Sequence, residues 1–99
     1  KTLPLSHELF DFAETIFDVL ESRQVTLSKK GEDKGVRLSF EGFPYLIVWS
    51  KPEGDFVAVE PWGGLSTCSD EDDVLEHKRG CLVAKPKETI VRSFTIEIL

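Results

Sequence analysis

Ninety-nine residues make one domain or part of one, since soluble domains cluster near about 100–150 residues, and a second domain is excluded. An apolar content of 40% supplies a core and 30% charged residues supply a wetted surface, which argues against disorder. With eighteen acidic against twelve basic side chains the net charge is −6, so the mean field repels phosphate backbones and anionic lipid, and the expected partners include no nucleic acid and no membrane. No apolar run approaches the roughly 18 residues of a bilayer span, and the first residues lack the apolar stretch of a secretion signal, so a cytoplasmic protein is expected. Methionine is absent, so Lys1 is not a translation start and the chain is expected to be part of something longer.

In chain order, Leu9, Phe12, Ala13, Ile16 and Leu20 follow helical spacing, which predicts a short helix near Ser6–Phe12. Thr15, Ile16, Phe17 and Val19 suit an extended chain as well as a continuing helix, and both readings stand. From Arg23 the period changes to two: Val25 and Leu27 alternate with polar residues, a turn follows, and Val36, Leu38 and Phe40 answer them as a hairpin partner with one wet face. Tyr45–Ser50 is apolar on both faces, as a central strand covered from two sides must be. Phe56–Glu60 reads as the next strand, closed by Pro61, which cannot donate to a ladder. Gly63–Gly80 reads as a long loop carrying the acidic run Ser69–Asp73, and Cys81–Lys85 with Glu88–Ile98 as a terminal hairpin. The sum is an all-β, antiparallel sheet or half of a sandwich, with a short N-terminal helix.

The stretch richest in chemistry is Phe56-Val57-Ala58-Val59-Glu60-Pro61-Trp62. Alternation puts Phe56, Ala58 and Glu60 on one face, and the residue before a proline is held extended, so the Glu60 carboxylate has a set direction beside the Trp62 ring. That pair suits a sugar, whose apolar face packs on a ring while a carboxylate accepts a hydroxyl proton. The plainer alternative is an acid that merely ends an amphipathic strand and a tryptophan that fills core. Trp49 shares a face with Tyr45 and offers a second aromatic wall, with Tyr45 assigned to packing. Arg92, between Ile90 and Phe94, reads as an edge arginine whose stem lies along apolar surface.

Metal chemistry finds little footing. Counted from Asp70, the acidic run has Leu75 where a helix–loop–helix calcium site needs glycine and Cys81 where it needs glutamate. His77, Cys81 and Cys68 lack the paired-cysteine spacing of a zinc site, and no metal is expected. Phosphate-binding glycine loops and serine-hydrolase elbows are missing too. His7 reads as a solvated surface histidine.

Taken as an ordered series, Leu3-Pro4-Leu5, Leu9-Phe10, Ser22-Arg23 with Val25-Thr26-Leu27, Phe43-Pro44-Tyr45-Leu46, Trp49-Ser50-Lys51-Pro52 and Val59-Glu60-Pro61-Trp62 with Gly64 resembles the C-terminal part of the aldose 1-epimerase (galactose mutarotase-like) family, nearest its LacX-like branch. The likeness continues through Lys78, Gly80, Leu82 and the Pro86–Glu88 turn to the closing strand. It implies that residues 1–99 are one unit, the C-terminal portion of a large β-supersandwich that interconverts the α and β anomers of a free hexose without a cofactor. Glu60 falls on the family's general base, and the general-acid histidine is expected in the missing N-terminal part, the first partner of this segment. Where family members carry a sugar-binding aspartate just before the apolar pair Ile16-Phe17, this chain has Ala13, leaving Asp11 and Glu14 to replace it. Substrate binding is thus expected of Trp62, Trp49, Asp11 and Glu14, and the isolated segment is expected to be inactive or to self-associate. The rival reading is a non-catalytic carbohydrate-binding or sensing module on the same sandwich.

Overall fold

The computed structural model describes all residues, Lys1–Leu99. Six strands form two three-stranded antiparallel sheets. The first sheet runs β1 (Thr15–Phe17), β4 (Tyr45–Trp49), β5 (Ala58–Trp62), and the second runs β2 (Gln24–Ser28), β3 (Gly35–Ser39), β6 (Thr95–Ile98). The chain therefore crosses between sheets three times, after β1, β3 and β5. No helix is long and apolar enough to cross a membrane.

The two-faced strand foreseen at Tyr45–Ser50 is the centre of the first sheet, and four of its residues, Tyr45 through Val48, are buried. Register explains why both faces are apolar. Leu46 lies opposite Phe17 and Pro61, and its side chain joins Leu38 and Phe40 in the core, with Phe17, Leu20, Val25, Phe43 and Val59 packed around them. Each such side chain taken from water contributes about 1.5–3 kcal/mol. Tyr45, Ile47 and Trp49 point the other way, toward the face that carries Glu60.

Arg23 pins two of the crossings. Its guanidinium donates to the Phe43 carbonyl at 2.7 Å and to the Leu20 carbonyl, and lies 4.9 Å from the centre of the Phe40 ring. One side chain thus joins the end of the β1–β2 connection to the start of β4, and a charged donor on backbone carbonyls is among the stronger neutral-pH contacts available.

Three expectations change. The helix near Ser6–Phe12 is a single 3-10 turn, His7–Phe10; Phe10 is buried while Phe12 stands fully in solvent, so the helical stripe is not what packs. Extension wins from Thr15 because pairing with β4 satisfies the backbone and suits β-branched side chains. The β5 strand runs through Pro61 to Trp62, which an edge strand tolerates because one of its sides needs no ladder donor. Finally, the terminal hairpin does not form: the Lys85–Glu88 turn is present, yet no residue of Cys81–Lys85 is in a strand. Instead β6 adds to β3, where Ile96 meets Leu38, Ile98 meets Val36, and Arg37 donates to Glu97 at 2.6 Å. Matched cross-strand pairs on an open edge outweigh the local turn. Arg92 is exposed, its stem crossing Gly42, where an added Cβ would stand 3.4 Å from it.

Candidate functional site

The outer face of the first sheet holds a shallow hollow of about 220 Å³ lined by Glu14, Ile47, Trp49, Glu60 and Trp62. Register assembles it. Glu60 pairs with Ile47, and Trp62 and Ala58 flank it at two-residue steps on the same side of β5, facing Tyr45 and Trp49 on β4. Thr15 pairs with Val48, so the residue before it, Glu14, falls beside Trp49 and brings a second carboxylate to the rim. Ile47, only 1% exposed, forms the apolar floor. A volume below the roughly 300–1,000 Å³ of pockets for drug-sized ligands suits a single small ring.

The Glu60 carboxylate is anchored on one side: the Trp62 indole N–H donates to Oε2 at 2.9 Å, while Oε1 has no partner in the protein. Trp49 is 36% exposed and is braced edge-on by Phe56, ring centres 5.6 Å apart at 60°. Phe56 is in turn held by the β4–β5 connection, where buried Ser50 donates from Oγ to the Phe56 carbonyl at 2.6 Å and Gly54 N–H donates to Lys51 at 2.9 Å.

Of the residues named from sequence, Glu60, Trp62, Trp49 and Glu14 are brought together, and Asp11 is not: it follows the 3-10 turn and is exposed. Ile47 was missed as a lining residue, although its alternation with Tyr45 and Trp49 carries that information. Neither histidine reaches the hollow. His7 Nε2 lies 2.7 Å from the Gly54 carbonyl, and His77 Nδ1 hydrogen-bonds Asp72 Oδ2 at 2.6 Å.

The acidic loop borders the same face. Gly80, at φ +68°, sits against Tyr45 so closely that a Cβ would come within 2.7 Å of the ring, which ties the end of the loop to β4. Inside the loop Lys78 donates to Glu71 at 3.0 Å and to Thr67 at 3.2 Å, and Arg79 pairs with Asp70. The Lys78 ammonium and a backbone N–H from Cys68 hold the Glu71 carboxyl below its ordinary pKa, and the His77 ring with the Val74 N–H does the same for Asp72. Cys68 and Cys81 are free thiols.

No protein-family model matches the chain, and no solved structure matches it. Among curated proteins it is 41% identical over 100 aligned positions, its whole length, to two proteins of Lactococcus lactis subsp. lactis, "Protein LacX, plasmid" and "Protein LacX, chromosomal". The alignment covers 33% of each, so the chain spans about a third of the length of the relatives it matches, and over that third it is similar to them along its whole length.

Proposed function

We propose that this chain carries the proton-accepting side of an aldose 1-epimerase-like site that interconverts the anomers of a free hexose. The observation that supports this best is the placement of Glu60, one oxygen unpartnered, in a hollow walled by Trp49 and Trp62. A sugar ring stacked on an indole presents its hydroxyls at the rim, within reach of two carboxylates. In the proposed reaction Glu60 takes the proton of the C1 hydroxyl as an acid group protonates the ring oxygen and the C1–O5 bond breaks. The open aldehyde turns about C1–C2, and reclosure returns both protons. The acid is assigned to the rest of the longer protein, since His7 and His77 are engaged elsewhere. The reaction requires no cofactor.

The test is Glu60→Gln in the full-length protein, with exchange between hexose anomers followed by proton NMR. The expected result is a loss of about 10²–10⁴-fold, the usual worth of a positioned general base, with the fold unchanged by circular dichroism. Undiminished exchange removes Glu60 from the reaction. A second reading, recognition without chemistry, draws on the openness of the hollow and on the single catalytic group this chain contributes. Hexose binding by calorimetry with no acceleration of exchange decides for it.

A further inference from the structure

Glu60, Pro61 and Trp62 are consecutive in an edge strand, so the two functional side chains emerge on one face either side of a proline. The proline ring sets its own φ and confines the residue before it to extended geometry, which removes most of the backbone freedom between carboxylate and indole. The indole N–H then bonds one carboxylate oxygen at 2.9 Å. A glutamate side chain free to turn about its last torsion offers its two oxygens interchangeably. Here one is occupied, and Oε1 is left without a protein partner.

We propose that Trp62 is a positioning residue, its indole N–H clamping Glu60 Oε2 so that Oε1 alone is presented as the proton acceptor; this rests on the assignment of Glu60 as the base. The tryptophan therefore has two separable duties, a wall through its ring and a clamp through its nitrogen. Phenylalanine keeps the first and deletes the second. An enzyme whose base wanders loses turnover while ground-state stacking is kept, because only the reacting geometry is disturbed.

In the full-length protein Trp62→Phe is expected to lower kcat for anomer exchange by about 10–100-fold with KM held within about twofold. An unchanged kcat, or a rise in KM that accounts for the whole loss, overturns the clamp. A second measurement does not depend on activity. In the full-length protein the Trp62 Nε1 proton resonance, identified by its loss in Trp62→Phe, is expected to move upfield in Glu60→Ala, which removes the acceptor of the indole N–H. A resonance unmoved by Glu60→Ala overturns the proposal. The underlying reading fails separately: if Glu60→Gln leaves exchange intact, Glu60 is not the base, whatever the indole resonance does.

Discussion

Glu14 is the residue whose placement the backbone decided. While the segment around it could be either helical or extended, Asp11 and Glu14 were equal candidates for the position where the resembling family has aspartate and this chain has Ala13. Extension separates the two, since β1 pairing carries Glu14 to the rim beside Trp49 and leaves Asp11 outside. A hydroxyl bonded to a charged carboxylate contributes about 1.5–3 kcal/mol. Glu14→Gln is accordingly expected to weaken hexose binding about tenfold by calorimetric titration, a change of about 1.4 kcal/mol, whereas Asp11→Asn is expected to leave it unaltered. Equal effects of the two would remove Glu14 from the site. Glu60 and Trp62 were legible earlier because strand parity and the intervening proline act within three residues; Glu14 was not, because its placement depends on a partner strand thirty-odd positions away.

Among elements, the Gly63–Gly80 loop shows how local charge holds irregular chain in place. Its carboxylates at Glu71 and Asp72 titrate below their ordinary values because Lys78 and the His77 ring, respectively, bond the charged forms. A carboxyl lowered in the folded state adds stability above its unfolded value and loses it as pH falls through the folded one. The contribution of these two carboxyls is therefore expected to be lost, and the loop to loosen, as pH falls below their ordinary values. Amide hydrogen exchange checks this: the Val74 N–H, bonded to Asp72 at 3.0 Å, should lose protection on acidification ahead of the β4 amides. Simultaneous loss in loop and strand would contradict it. This element also marks a limit of pattern reading. The loop and the β2–β3 hairpin follow from turn residues and alternation, but the choice of β6 to join β3 instead of folding back on Cys81–Lys85 rests on contacts sixty positions apart, which no local period encodes.

At the scale of the whole molecule, few side chains are enclosed: eight of 99 residues are buried, and the radius of gyration is 15.7 Å against about 13 Å for a compact chain of this size. The sandwich was legible in the alternation of its strands, since each apolar face demands a cover. The second sheet answers that demand only in part. Ile96 and Ile98, on the face that Leu38 shares, are 57% and 77% exposed, with Val91 and Phe94 nearby in sequence also uncovered. Apolar surface of this kind associates in water. The 99-residue chain is expected to sediment as an oligomer at micromolar concentration, and Ile98→Lys to shift it toward monomer; a compact wild-type monomer would show that this face needs no cover.

Both tryptophans of the chain line one hollow. In the 99-residue chain, excitation at the red edge of protein absorbance therefore draws its emission from that spot alone, and a hexose bound there is expected to change the colour and intensity of the light, with no dye, tag or coupled assay in between.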